Sequence, residues 1–223
     1  MKFRTGAASL ALAMMAAASA AQGQTIVSAV DGVINSGGPG EGLLINTWNQ
    51  AGLLSNYVSG VTNFATYIGT NPMHTLVFSG NEWFSNSGTT SASVTYDLGA
   101  TMGINALALW NEETSGIGLL NLYASVDGLN FNALSLGLTP FDNPLANYPA
   151  EVFDFSATNF RYIRFDMSNC PQPNPGTYPS CAIGEVAFQT GAASTVSPEP
   201  GTYALMLSGL VGVGFVARRR RSA

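Results

Sequence analysis

The chain of 223 residues is rich in glycine and small polar side chains, and only 9% of its residues are charged. Six of its eight basic residues lie near the two ends, so residues 22–196 hold two arginines against twelve acidic side chains, a net charge of about −10. Because such a surface repels a phosphate backbone, the composition argues against nucleic-acid binding.

The first segment has the three parts of a secretory signal peptide. Lys2 and Arg4 give a positive start, an apolar run follows at residues 6–17, and small residues at positions 18–20 form a cleavage site. The apolar run is too short to span a bilayer. We therefore predict that residues 1–21 are a signal peptide and that the remainder of the chain is exported.

Between the two ends, short runs of β-type sequence are separated by glycine, asparagine, serine and proline. Apolar and polar residues alternate along residues 91–98 and 119–126, which is typical of strands with one buried face. Residues 104–110 are apolar nearly throughout, which predicts a central strand covered on both faces. Asp127 and Gly128 predict a turn. Weaker or shorter runs predict further strands at residues 26–30, 43–47, 75–78, 131–136, 151–155, 161–167 and 182–189.

The spacing of these strands, with no helices between them, predicts an all-β fold, an antiparallel β-sandwich. We place the domain at residues 22–189. Residues 190–197 are predicted to form a flexible linker, because small residues and proline dominate there.

Cys170 and Cys181 are the only two cysteines, and a proline-rich stretch separates them. An even pair in an exported chain predicts a disulfide, worth about 3 kcal/mol for a loop of this size. A metal centre would need further cysteine or histidine ligands nearby, and the sequence has none there.

The last segment combines a Pro-Glu-Pro motif, an apolar run and a basic end. Pro198, Glu199 and Pro200 precede an uncharged run at residues 203–217. Four arginines close it: Arg218, Arg219, Arg220 and Arg221. Because arginines beside an apolar helix are held on the cytoplasmic side, the segment predicts a short transmembrane helix that keeps the domain outside. Residues 198–221 resemble the PEP-CTERM sorting signal. The resemblance implies an exosortase-type membrane protease as partner, an inner-membrane-anchored precursor, and a mature form at the cell envelope or outside the cell.

A second resemblance concerns the domain. The segments VTYDLG, GINALALWN, LNLYASVDGLNF, FRYIRFDM and AIGEVAF, in this order, resemble the discoidin-like family, also called coagulation factor type C domains. The resemblance covers residues 82–188 and implies a jelly-roll sandwich of the galactose-binding-like class. No cofactor is expected except a structural calcium, which many domains of this class hold. Glu185 occupies the matching place for a metal ligand near the last strand, and the alternative is a polar residue that alternates with Val186. Residues 24–80 depart from the family's usual opening.

Catalysis has few candidate residues. His74 is the only histidine, so any serine–histidine–aspartate arrangement would depend on it. Glu112 and Glu113 are the nearest approach to a glycosidase carboxylate pair. Because they are adjacent, they would point to opposite faces of a strand, or be solvated in a loop. The sequence therefore favours a protein that is not an enzyme.

Aromatic rings are the expected sugar-binding groups of such a domain. The candidates taken forward are Trp48, Tyr57 and Trp110, because the first two lie in an asparagine-rich stretch typical of a loop and the third ends an apolar strand. Tyr67 is a further candidate, whereas Trp83 is expected to pack beneath the sandwich. For the two arginines, Arg161 and Arg164, structural ion pairs are expected ahead of ligand contacts.

The sequence thus predicts an exported, sorted protein with a non-catalytic domain that binds carbohydrate, in particular exopolysaccharide. Two alternatives remain open. The first is a structural matrix or surface protein without a defined ligand, and the second is a polysaccharide hydrolase that uses Glu112 and Glu113.

Overall fold

The computed structural model describes residues 24–172 and 178–191. The predicted signal peptide, the linker beyond residue 191 and the C-terminal tail, with its predicted transmembrane helix, lie outside the described residues. Within the described residues, no helix is both long and apolar enough to cross a membrane.

Eleven strands and two short helices make up the described part of the chain. The strands are β1 (Ile26–Val27), β2 (Asp31–Ser36), β3 (Glu41–Gly42), β4 (Met73–His74), β5 (Trp83–Phe84), β6 (Ser91–Asn111), β7 (Leu119–Ser125), β8 (Asn132–Leu138), β9 (Tyr148–Pro149), β10 (Glu151–Ser168) and β11 (Ala182–Thr190). A 3-10 helix covers Leu44–Thr47 and the helix α1 covers Phe64–Ile68.

The strands are hydrogen-bonded in the order β3-β5-β11-β6-β10-β7-β8, with β1 on β11 and β2 on β6. Every pair is antiparallel, including the separate pair β4 and β9. The predicted fold class, an all-β antiparallel sandwich, is confirmed.

The two layers of the sandwich share the long strands β6 and β10. Residues 91–98 of β6 pair with β2 and with residues 162–168 of β10, which in turn pairs with β7; we call this set, together with β8, the open layer. Residues 104–111 of β6 pair with β11 and with the first part of β10; with β1, β3 and β5 they form the covered layer. Gly99, with φ +82°, lies between the two halves of β6, where a side chain would be strained.

The main core lies between the two layers. Val94 and Tyr96 of the open layer and Leu107, Leu109 and Phe188 of the covered layer belong to one cluster of buried side chains. The two halves of β6 therefore face each other across the core.

A second apolar cluster lies on the outer face of the covered layer. Part of the segment 24–80 packs there, against the small side chains of Ala106, Ala108 and Ala187. The buried side chains that this segment contributes are Ile26, Leu53, Tyr57, Phe64 and Tyr67. The prediction that residues 104–110 are covered on both faces is thus confirmed.

Several predicted strands have different bounds in the structure. Residues 43–47 form a 3-10 helix rather than a strand, because the Thr47 hydroxyl donates to the Leu44 carbonyl at 2.8 Å and contacts the Tyr96 hydroxyl at 3.0 Å. The strand predicted at residues 75–78 is wrong, since β4 ends at His74. The two strands predicted at residues 151–155 and 161–167 are parts of one long strand, β10. The register of its pairing with β6 shifts along its length. Strand β11 extends to Thr190, one residue beyond the predicted domain end.

The predicted disulfide between Cys170 and Cys181 is present. Cys170 follows the end of β10 in the open layer, and Cys181 directly precedes β11 in the covered layer. The bond therefore ties one layer to the other.

Candidate functional site

The aromatic side chains predicted to bind sugar are buried. Trp48, Tyr57 and Trp110 are exposed by 8%, 6% and 0%. The Trp48 ring packs edge-on against Tyr96, and the Trp110 indole donates to the Pro72 carbonyl at 2.9 Å. The prediction that these three rings are available to a ligand is wrong, because Trp48 packs in the main core and the other two rings pack in the second apolar cluster.

The remaining aromatic candidates are also buried. Trp83 is fully buried, as expected, and its indole donates to the Pro39 carbonyl at 2.8 Å. Tyr67 is 5% exposed and packs edge-on against Tyr57. Neither ring offers a face to a sugar.

A groove of about 530 Å³ crosses the outer face of the open layer. We call it the open groove. Because alternate residues of a strand share a face, neighbouring strands each contribute side chains two positions apart. The lining residues are Val33, Asn35, Ser93, Thr95, Asp127, Gly128, Phe131, Tyr162, Arg164 and Asp166.

Arg164 occupies the middle of this surface. Its Nε lies 3.1 Å from Oδ1 of Asp166, which confirms the predicted ion pair. Its guanidinium carbon also lies 4.5 Å from the ring centroid of Tyr123 and 5.0 Å from that of Phe131. Two aromatic rings and a carboxylate thus hold a partly exposed guanidinium, a donor group with planar geometry.

Hydrogen bonds fix the polar side chains around Arg164. The side-chain amide of Asn35 donates to the hydroxyls of Ser93 at 3.1 Å and Thr95 at 2.9 Å. The Ser93 hydroxyl donates to Asp166 at 2.7 Å. The floor of the open groove is therefore a preorganised set of hydroxyl, amide and carboxylate groups beside aromatic rings.

The second arginine forms a separate pair outside the open groove. Nε and Nη2 of Arg161 donate to the two carboxylate oxygens of Asp97, each at 2.7 Å. These hydrogen bonds, together with one from the Gly99 backbone, hold the pKa of Asp97 below its usual value. The structural role predicted for Arg161 is confirmed.

Glu185 meets the requirements for calcium only in part. Its side chain is fully buried, Oε2 accepts from the Gln50 backbone at 3.0 Å, and Oε1 has no hydrogen-bond partner among the described residues. Burial raises the pKa of Glu185 well above its usual value. However, the one cluster of three candidate ligands in the described residues excludes Glu185. A calcium ion at Glu185 would need backbone carbonyls for the rest of its shell.

That cluster contains Glu82, Glu112 and Glu113, which we call the acid cluster. Their exposures are 0%, 2% and 4%, and one carboxylate oxygen from each lies within 4.8 Å of the others. The prediction that Glu112 and Glu113 are solvated or point to opposite faces is wrong. Both follow the end of β6 in a turn that folds back on Glu82, which directly precedes β5.

Hydrogen bonds fix two members of the acid cluster. Glu112 accepts from the backbone and hydroxyl of Thr114, at 2.9 and 2.7 Å, and from the Ser115 backbone. The Tyr148 hydroxyl donates to Oε1 of Glu82 at 2.7 Å. Burial raises the pKa of all three carboxyls, that of Glu82 to about 7, and the mutual repulsion of the carboxylates raises that of Glu113 further.

His74 lies beside this cluster, fully buried and stacked on the Tyr148 ring. Its Nδ1 is 3.4 Å from Oε1 of Glu82. Burial lowers the pKa of His74 to about 4, so the imidazole is neutral at physiological pH.

Three solved structures illustrate what the chain is similar to. The CpGH89CBM32-5 module of Clostridium perfringens, solved with GalNAc-β-1,3-galactose, is 16% identical, with a TM-score of 0.49 over 72% of this chain and 94% of that one. The CBM32 of AlyQ, solved with 4,5-unsaturated mannuronic acid, is 18% identical, with a TM-score of 0.45 over 73% and 96%. Chitosan-binding module 1 of a Paenibacillus sp. IK-5 chitosanase/glucanase is 16% identical, with a TM-score of 0.47 over 74% and 96%.

No curated protein matches the chain. The family match falls instead on the C-terminal tail, where the sequence resemblance placed it. Residues 198–221 match the PEP-CTERM protein-sorting motif, which indicates an exported protein sorted through the membrane.

Proposed function

We propose that the chain is an exported, membrane-sorted protein whose β-sandwich binds carbohydrate in the open groove without cleaving it. The observation that carries this proposal is the arrangement around Arg164: a guanidinium held by Tyr123 and Phe131 beside a fixed floor of neutral polar groups. Sugars are bound by aromatic rings together with hydroxyl, amide and charged groups that orient their hydroxyls.

The shape of the open groove suits a polymer. It is lined by residues of β2, β6 and β10 and is not a closed cavity, which favours an extended chain of sugar units as the ligand. The sorting motif supports a polysaccharide of the cell surface as the ligand class, because it indicates an exported protein that is sorted through the membrane. An exopolysaccharide is therefore the proposed ligand, and an exosortase-type protease is the proposed processing partner.

The acid cluster gives the hydrolase alternative little support. A glycosidase needs two carboxyls on either side of a bound sugar. Glu112 and Glu113 are instead buried, and Glu112 is saturated by hydrogen bonds from Thr114 and Ser115. A polysaccharide chain has no access to them.

Binding of the purified full-length protein to a polysaccharide array tests the proposal, with calcium and with EDTA. Phe131→Ala and Arg164→Ala should each weaken retention at least about tenfold, which corresponds to about 1.4 kcal/mol. Arg161→Ala is the matched control, because Arg161 lies on the same strand and in a comparable ion pair but does not line the open groove.

The array also separates the alternatives. Absence of binding to every polysaccharide would favour a structural protein without a ligand. Equal retention of wild type, Phe131→Ala and Arg164→Ala would place the ligand elsewhere on the domain. Release of reducing ends from the arrayed polymers would favour the hydrolase.

The sorting tail is tested separately, by following maturation of the precursor in cells. Replacing Pro198, Glu199 and Pro200 with alanine should block maturation while insertion continues. Replacing residues 218–221 with serine should weaken membrane retention of the precursor, because the positive end no longer holds the segment on the cytoplasmic side. Fractionation and immunoblotting distinguish the two defects, and normal maturation of the alanine variant would contradict processing at this motif.

A further inference from the structure

The acid cluster places three carboxyls in the protein interior, and no arginine or lysine of the described residues pairs with them. Among the residues that the structure describes, the only arginines are Arg161 and Arg164, and each pairs with an aspartate elsewhere. Burying like charges together without a partner is strongly unfavourable. The cluster therefore needs either bound protons or a bound cation.

Two oxygens of the cluster are left without partners. Oε2 of Glu82 and Oε2 of Glu113 are buried and accept no hydrogen bond within the described residues. Buried polar atoms are nearly always satisfied in folded proteins, so unpartnered carboxylate oxygens on two neighbouring side chains point to a missing ligand. An electron-pair acceptor between them would satisfy both.

The spacing and the chemistry of the cluster identify the kind of ligand. Calcium–oxygen bonds are about 2.4 Å long, so two oxygens bound to one calcium ion lie at most about 4.8 Å apart. The three ligand oxygens lie within 4.8 Å of one another. All three are hard carboxylate donors, which suit calcium rather than zinc or copper.

Solvent has a short route to the cluster. Thr114, whose backbone and hydroxyl contact Glu112, also lines an open pocket of about 230 Å³ together with Glu41, Phe78 and Tyr178. Thr114 therefore contacts both this pocket and the acid cluster.

We propose that Glu82, Glu112 and Glu113 form a binding site for a divalent cation of calcium size, distinct from Glu185. Such an ion ties the turn after β6 to the start of β5 at the edge of the covered layer. The site is independent of carbohydrate binding in the open groove, which lies on the other layer.

Thermal unfolding of the full-length protein in EDTA and in millimolar calcium tests the site. Calcium should raise the Tm of the wild type by several degrees, because an ion that binds only the folded state stabilises it. Glu82→Gln and Glu113→Gln should remove this shift. Both variants should fold at least as well as the wild type in EDTA, since each removes a buried like charge while preserving side-chain shape.

Glu185→Gln is the matched control, because Glu185 is equally buried and also has an unpartnered oxygen. It should retain the calcium shift. Terbium luminescence gives a second readout, since Tyr148 donates directly to Glu82 and can transfer excitation to a bound ion. Absence of both signals in the wild type, a shift that persists in Glu82→Gln and Glu113→Gln, or a shift lost in Glu185→Gln would overturn the proposal.

Discussion

Strand β6 supplies both layers, yet the outer faces of its two halves have opposite surroundings. On the open layer, Ser93 and Thr95 face the open groove. On the covered layer, Ala106, Ala108 and Trp110 lie beneath residues 24–80 and are fully buried. Small apolar side chains let a second segment approach the sheet closely, whereas polar side chains that bond to one another leave their face open. The residues at alternate positions of one strand thus determine which layer is covered by a second segment and which carries the proposed binding surface.

Truncating one aromatic side chain on each layer tests this difference most strongly. Trp110→Ala should lower the free energy of unfolding by about 3–5 kcal/mol, because it leaves a large cavity and an unpaired Pro72 carbonyl. Tyr162→Ala on the open layer should cost no more than about 1 kcal/mol, since the side chain is partly exposed. Urea unfolding measures both. A small effect of Trp110→Ala would show that residues 24–80 do not pack firmly on the covered layer.

The disulfide tests how far the two layers depend on each other. Replacing Cys170 and Cys181 together with alanine should lower the free energy of unfolding by about 2–4 kcal/mol, because the unfolded chain loses its cross-link over a separation of 11 residues. Urea unfolding of this variant, compared with reduced wild type, measures the effect. Two reactive thiols in the denatured, unreduced wild type would contradict the bond itself.

The strands β6, β7 and β10 of the open layer were predictable from sequence, whereas β2 was not. Alternation along residues 91–98 and 119–126 specifies strands with one buried face, and both strands are present. The placement of Arg164 on one face with Tyr162 and Asp166 also follows from alternation along β10. Residues 24–80 could not be predicted in this way, because their short strands and 3-10 helix have no regular period. Their aromatic residues therefore resembled loop residues, although they are buried by contact with distant parts of the chain.

The acid cluster was only partly predictable from the sequence. Glu112 and Glu113 stood out as neighbours, but the third carboxyl, Glu82, is thirty residues earlier in the chain. The pairing of β5 and β6 with β11 brings them together. Such a long-range approach follows from the strand order, and neither spacing nor composition encodes it locally. The unpartnered carboxylate oxygens become visible only once that order is known.

The smallest expected effect concerns the partly exposed ion pair between Asp97 and Arg161. In the folded state the pKa of Asp97 is held below its usual 3.8, first by the hydrogen bonds from Arg161. A lowered carboxyl pKa stabilises the fold above that value and ceases to do so as the pH falls through the folded pKa. Asp97→Asn should therefore unfold at lower urea concentration than the wild type at neutral pH, by less than either change above. The gap should close as the pH falls from 3.8 through the lowered pKa of Asp97, because the wild-type carboxyl then also becomes neutral. A gap that stays constant across this range would assign the contribution of Asp97 to packing rather than to its charge, because an asparagine oxygen can still accept the hydrogen bond from the Gly99 backbone.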